Sequence, residues 1–307
     1  MKPKRVWPAI ATSLTILALT GCGQPAPTAA HSAAPLSPTV SPTSASPAQS
    51  TASPSYGPNS TSASQAPNES GASCVTHAAK GSCGPYRYAA ITGSGGSSTY
   101  VLNDMWAANK GTAQALSVWN PGHWSVVANA RPVGYTGVQT YPDAQQIYTR
   151  SDNSPDPLSG FGSILSSFTE NMNATGATSA EAAYDIWLGQ SSSTNYADEV
   201  MVWNDTVHRG TCGGATVKAH ASFGGSHGVS RRRWTLCEYA GKELIWYLAN
   251  DNERSGTVNL LAMLTWLETH GYLPAGSGLN QIDYGFEICS TRGPETFTVS
   301  RFAINST

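Results

Sequence analysis

Glu199 and Glu287 each stand in a short run of alternating apolar residues, Asp198-Glu-Val-Met-Val-Trp203 and Ile282-Asp-Tyr-Gly-Phe-Glu-Ile-Cys289. A carboxylate at a strand position where an apolar side chain is expected faces a cleft, because an unpaired charge is too costly to bury in a core. Two such strands, far apart in sequence, suggest one acid/base pair, with one carboxyl ionised to attack and the other protonated to donate. A third carboxylate, Asp185, lies in Ala183-Tyr-Asp-Ile-Trp-Leu188. Period-two alternation places Glu199, Met201 and Trp203 on one face, Asp185 with Trp187 on a second, and Asp283, Gly285, Glu287 and Cys289 on a third. If the three faces line one concave sheet, Asp185 is placed to tune one of the reacting pair. A reading without chemistry uses the same residues: Asp185 and Glu199 as cross-strand polar partners on a solvated face, and Glu287 as an edge-strand charge that blocks aggregation.

The elements that must hold these faces are short runs rich in Tyr, Trp, Val, Ile and Thr, bounded by Gly, Pro, Ser and Asn. They span 86–92, 100–106, 115–119, 124–130, 164–170, 182–188, 199–204, 216–223, 233–239, 243–249, 280–289 and 296–304. Many short strands at this spacing indicate an all-β, two-sheet sandwich. One segment, 257–270, differs: Leu260, Leu261, Met263, Leu264 and Leu267 recur at helical spacing, and Gly271 is placed to stop the helix. A single amphipathic helix is therefore expected on the outer face of the sandwich.

The N-terminus sets the compartment. Lys2, Lys4 and Arg5 precede a short apolar run from Ile10 to Leu19, and Leu19-Thr-Gly-Cys22 follows. This resembles a bacterial lipoprotein signal in residues 1–22, with Cys22 as the lipidated first residue of the mature chain. The alternative is an ordinary secretory signal. Either way the protein is expected to be exported, on the bacterial cell surface or secreted. Residues 23–73 are almost entirely Pro, Ser, Thr and Ala, a composition that cannot bury enough apolar surface to offset the entropy of ordering, and so read as a disordered linker. Residues 74–307 then form one domain.

Charged residues make up 12% of the 307-residue chain and the net charge is -2, which gives no electrostatic footprint for nucleic acid or an anionic membrane surface. The expected partner is a neutral polymer, for which tryptophan faces and uncharged polar groups are suited, and the membrane is met only through the anchor at Cys22. Of the cysteines beyond Cys22, the simplest pairing joins Cys74 to Cys83 and Cys212 to Cys237 and leaves Cys289 free. His220 and His227 have no third ligand at metal-site spacing. No phosphate-binding loop or serine-nucleophile elbow occurs. No metal or cofactor is expected.

Several motifs taken in order resemble glycoside hydrolase family 12: Tyr100-Val-Leu-Asn-Asp-Met-Trp106, Val138-Gln-Thr-Tyr-Pro142, Ala183-Tyr-Asp-Ile-Trp187, Glu199-Val-Met-Val-Trp203, Trp234-Thr-Leu236 with Tyr239-Ala-Gly241, Gly271-Tyr-Leu273, Gly285-Phe-Glu287 and Phe297-Thr-Val-Ser300. The resemblance spans about residues 86–307. It implies a β-jelly-roll fold and a monomeric endo-β-1,4-glucanase or xyloglucanase acting on β-glucan. It further implies Glu199 as nucleophile, Glu287 as acid/base, Asp185 as the support of the nucleophile, Met201 under the reacting sugar and Trp106 as a sugar platform. Trp203, on the Glu199 face, and Asp104 are also placed with the substrate. Asp104 departs from the asparagine usual in the family, Phe286 from a threonine, and Cys289 from a phenylalanine. Mixed-linkage glucan is a further substrate, and a carbohydrate-binding lipoprotein without turnover is the rival from a different class.

Overall fold

A computed structural model describes residues 72–76, 86–88, 98–105, 107–148, 150, 154–190, 198–226, 228–239, 243–248 and 252–307. Cys22, Trp106 and His227, with the proposed signal and most of the linker, lie outside the described residues. The strands are β1 (Ala72–Thr76), β2 (Tyr86–Tyr88), β3 (Ser98–Leu102), β4 (Ala113–Asn120), β5 (His123–Asn129) and β6 (Asp143–Ile147). They continue as β7 (Asp156–Pro157), β8 (Ile164–Met172), β9 (Ser179–Gln190), β10 (Asp198–Val207), β11 (Thr216–Phe223) and β12 (Arg232–Tyr239). The last are β13 (Glu243–Tyr247), β14 (Ser255–Asn259), β15 (Ser277–Ser290) and β16 (Glu295–Ser306), with one α-helix, α1 (Leu260–Thr269), between β14 and β15.

Among the described residues these strands form two sheets, ordered β1-β4-β5-β16-β8-β14 and β11-β12-β13-β10-β9-β15-β6-β3-β2, with β7 beside β15. The expected two-sheet sandwich is present. Its core is made by alternation: in β8, Ile164, Phe168 and Met172 point inward while Leu165, Ser167 and Thr169 remain half-buried. From the other sheet Tyr184 and Tyr284 meet at 4.6 Å between ring centroids, and Tyr284 stacks on Phe302 of β16 at 5.2 Å. Burying side chains of this size contributes roughly 1.5–3 kcal/mol each, so the aromatic layer is a major source of the force that holds the sheets face to face.

The helix starts later than its apolar spacing suggests. Residues Ser255–Asn259 pair with β8 as a strand, and the Asn259 side chain then accepts a hydrogen bond from the Ala262 N–H at 3.0 Å, capping the first turn. Leu260, Met263, Leu264 and Leu267 enter the core, and Trp266 meets Trp246 of β13 edge-on at 5.2 Å. Gly271 follows in the left-handed region, with φ +76°, as the sequence expectation requires.

The central strand β15 positions the chemistry. All fourteen of its residues are buried, yet only one face is apolar: Ile282, Tyr284, Phe286 and Ile288 join the core, while Asp283, Gly285, Glu287 and Cys289 lie on the other face. A polar face can be buried only if strands and loops wall it in as a cleft. Gly285 is required there because a Cβ would fall on the Pro142 carbonyl and the Asp143 backbone, where β6 crosses close by.

Candidate active site

Four neighbouring strands, β15, β9, β10 and β13, carry Glu287, Asp185, Glu199 and Glu243 on one face. Asp185 of β9 is in register with Met201 on one side and Asp283 on the other. Glu199 of β10 lies opposite Trp187 and in parallel register with Glu243 of β13. Glu287 lies opposite Glu181. All three residues predicted from sequence to carry the chemistry, Glu199, Glu287 and Asp185, therefore share one face of one sheet. Along β9, however, the partners of Glu199 and Glu287 are Trp187 and Glu181, six residues apart, so the two glutamates stand on a diagonal of the sheet. The Glu287 charge does reach Glu199.

Asp185 makes no hydrogen bond to Glu199. Two residues off direct register, it acts on Glu199 through its charge instead. Met201 and Trp203 lie on the same strand face as Glu199. They are 1% and 0% exposed and pack with Ala183, Ile245, Tyr247 and the Cys212–Cys237 disulfide in a small apolar cluster under the cleft. The strand twist and the covering segment at Cys212, neither visible in a period-two pattern, turn that face into floor. Asp104 follows β3, its carbonyl accepting the Tyr141 N–H at 3.0 Å, and its charge raises Asp143 and Asp283. Cys289 is not free as the simplest pairing had it. It is disulfide-bonded, and Arg209 Nη1 donates to its sulfur at 3.4 Å. Spacing alone cannot select a connectivity.

Three further groups belong to this site. Glu243 stands in Glu243-Leu-Ile-Trp-Tyr247, the same carboxylate-in-apolar-strand signal that singles out Glu199. Glu181 has the parity of Asp185 and so shares its face. Arg209 lies beyond the end of β10 and joins Glu181 in an ion pair with no local sequence signature.

Burial is the first cause of every shift in the cluster. Burial, then the charges of Asp185, Glu243 and Glu287, hold Glu199 well above the ordinary carboxylate range. Asp185 is raised by burial and by Asp283, Glu287, Glu243 and Asp143. Glu243 is raised to about 8 by burial and Glu287, against the pull of Arg209. Burial lifts Glu181 against the pull of Arg209, and Glu287 lifts it further. Burial and the like charges of the neighbouring carboxyls thus act in the same direction on Glu199, Asp185 and Glu243, each disfavouring the ionised form.

The same shifts predict how stability varies with pH. Glu243 at about 8 and Glu170 at about 9 bind protons more tightly in the folded chain than at their ordinary value of 4.5. Their stabilising contribution is complete below about pH 4.5 and is lost as pH rises through about 8 and 9, because the unfolded chain then holds fewer protons. Calorimetric melting temperatures should fall from about pH 5 to about pH 9. A flat or rising series would contradict the assignment.

No family model matches the chain, and no curated sequence matches it. Solved structures do. The family 12 xyloglucanase from Bacillus licheniformis, in complex with ligand, has a TM-score of 0.58 at 20% identity, covering 77% of this chain and 100% of its own. The xyloglucanase domain of NopAA, a type three effector from Sinorhizobium fredii in complex with cellobiose, has a TM-score of 0.56 at 23% identity, covering 76% and 99%. The catalytic domain of Humicola grisea Cel12A, with a soaked thio-cellotetraose, has a TM-score of 0.56 at 19% identity, covering 68% and 93%. Likeness at such identities is a likeness of fold: the chain has the two-sheet β-jelly-roll sandwich of these family 12 glycoside hydrolases.

Proposed function

We propose that this chain is a retaining endo-β-1,4-glucanase that hydrolyses internal bonds of neutral β-glucans. The observation that supports the reading is that Glu199, Asp185 and Glu287 share one face of three adjacent strands in a fold like that of family 12 glycoside hydrolases. Ionised Glu199 attacks the anomeric carbon while Glu287 gives its proton to the leaving oxygen, forming a glycosyl-enzyme. Glu287 then takes a proton from water as that water displaces Glu199. Asp185 tunes Glu199 through its charge, and no step needs a metal or cofactor. Asp104 and Trp106 bind sugars away from the bond being cut.

A reducing-sugar assay on barley β-glucan, xyloglucan and carboxymethyl cellulose tests the reading. Release is expected from at least one neutral glucan. It should be slower from carboxymethyl cellulose, whose carboxylates meet a floor carrying Asp143, Asp185 and Asp283. The resemblance to xyloglucanases makes xyloglucan the second candidate substrate. Binding of these polymers with no release from any would leave a carbohydrate-binding lipoprotein as the better description.

Cys22 would tether the enzyme to the outside of the membrane through the linker. Cys22→Ser should move the protein from the membrane fraction to the soluble fraction. An unchanged distribution would refute the anchor.

A further inference from the structure

Beyond Glu287 the acidic face ends in a cavity that the hydrolysis scheme leaves unused. On the two strands that pair Glu287 with Glu181, the last pair is Ser290 with Ser179, and Ser179 has the parity of Glu181 and so shares its face. These two serines, with Tyr135, Thr136, His208 and Arg209, line a cavity of ≈ 230 Å³. Arg209 joins the cavity to the acidic row: its Nε lies 2.6 Å from Glu181 Oε2, and its Nη2 donates to Oε1 at 2.7 Å. No carboxylate lines the cavity, and the charge of Arg209 is met by Glu181. Hydroxyls, an imidazole and a phenol ring suit a neutral, hydroxyl-rich ligand rather than an anion.

Two of the lining side chains are placed to receive such a ligand. The Tyr135 ring is 37% exposed and lies over Gly137, where a Cβ would fall 2.8 Å from it. An aromatic face so fixed can stack on the C–H face of a sugar. His208 stands in the left-handed region, with φ 49°, and its Nδ1 lies 2.8 Å from the Thr178 carbonyl. A carbonyl only accepts, so Nδ1 carries the hydrogen and the neutral ring keeps Nε2 as an acceptor for a hydroxyl. Backbone of this kind at a non-glycine residue is retained where it aims a side chain.

The position of the cavity decides its occupant. The carboxyls of a glycosidase flank the bond being cut and act on it from opposite sides, so the line joining them crosses the glucan backbone and does not follow it. Glu199 and Glu287 are offset along β9, where their partners are Trp187 and Glu181, and the cavity lies further in the same direction, at Ser179. It therefore flanks the backbone on the far side of Glu287. Its volume, below the ~300–1,000 Å³ of pockets for larger ligands, suits one sugar ring. We propose that the cavity is a subsite for a single neutral sugar branch carried by the β-glucan backbone, an inference that rests on Glu199 and Glu287 being the catalytic pair. Tyr135 stacks on the branch, and Thr136, Ser179 and His208 bond to its hydroxyls. A branched glucan such as xyloglucan then gains contacts that an unbranched one lacks.

Initial rates of the full chain on xyloglucan and on unbranched barley β-glucan test the assignment. In Tyr135→Ala the ratio of kcat/KM for xyloglucan to that for barley β-glucan should fall about two- to tenfold, the scale of one lost aromatic contact. Gly176→Phe gives a second, independent variant. A Cβ at Gly176, which also lines the cavity, meets nothing within 4 Å, so the new ring can enter the cavity without displacing the fold, and the ratio should fall at least as far. Melting curves establish which variants are folded. A ratio unchanged in the folded variants overturns the proposal, whether both rates stay at the parent's values or fall together because a backbone sugar occupies the cavity. Release from neither polymer by the parent would instead remove the catalytic reading, and calorimetry would then decide whether the cavity binds a branch. The parent should bind cellotetraose bearing xylosyl branches more tightly than cellotetraose, and Tyr135→Ala should reduce the difference. Equal affinities would count against the subsite.

Discussion

Glu199→Ala should lose β-glucan turnover by a factor on the order of 10⁴ or more, because it removes the atom that forms the covalent intermediate. The loss should be chemical rather than structural. Glu199 is half-buried, and it lies in the fields of Asp185, Glu243 and Glu287, so deleting its carboxyl relieves repulsion in a cluster of like groups. The variant's melting temperature should equal or exceed the parent's. The space left by the side chain admits a small external nucleophile. Azide, supplied with an activated aryl cellobioside, should attack the face that Glu199 once occupied and give the glycosyl azide with inversion. The parent should release sugar with the anomeric configuration retained. These stereochemical readouts matter because the register alone leaves the two glutamates on a diagonal of the sheet, and the distance between carboxyls separates retaining from inverting hydrolysis. Net inversion by the parent, or no azide product from the variant, would reassign Glu199.

Glu199, Asp185 and Glu287 were legible because each interrupts an apolar alternation, and alternation is a local property that a strand preserves. Glu243 carries the same signal. The polar strand β6 was harder to read. Asp143 and Gln145 face the cleft, and Gln146, on the inward face, bonds to the Tyr148 hydroxyl at 2.9 Å, so neither face of that strand is apolar. The expected helix runs back over 257–259, where the structure has the end of β14 and the Asn259 cap separates strand from helix. The Cys212–Cys237 pairing was the simplest and is the one formed. The contacts that refine the site are least visible. Arg209 reaches Glu181 across 28 residues of sequence, and Trp203 is covered by a segment containing Cys212. Such contacts depend on where the sheet coils and on which loop folds over it, which no short-range pattern encodes. The two-sheet architecture follows from strand spacing, whereas the surroundings of each carboxyl follow from tertiary packing.

Glu287→Ala should divide substrates by their leaving groups. On β-glucan, whose leaving sugar oxygen needs a proton as the bond breaks, turnover should fall by about 10²–10⁴, the usual range for loss of general acid catalysis. On 2,4-dinitrophenyl cellobioside the first step needs no proton and should remain close to the parent rate. The second step, deprived of its general base, should become slow. The glycosyl-enzyme on Glu199 should then accumulate, visible as a burst of dinitrophenol followed by a slow steady state, and azide should speed that steady state to give a product of retained configuration. This is the opposite stereochemistry to the azide product expected from Glu199→Ala, so the pair of variants distinguishes the roles even if both lose the natural substrate completely. Burial of Glu287 against Glu181 gives a second check. Removing its carboxyl leaves Glu181 and Arg209 paired with each other, so the variant should remain folded, and any loss of rate can be read as chemistry. Equal losses on both substrates, with no burst, would show that Glu287 does not protonate the leaving group.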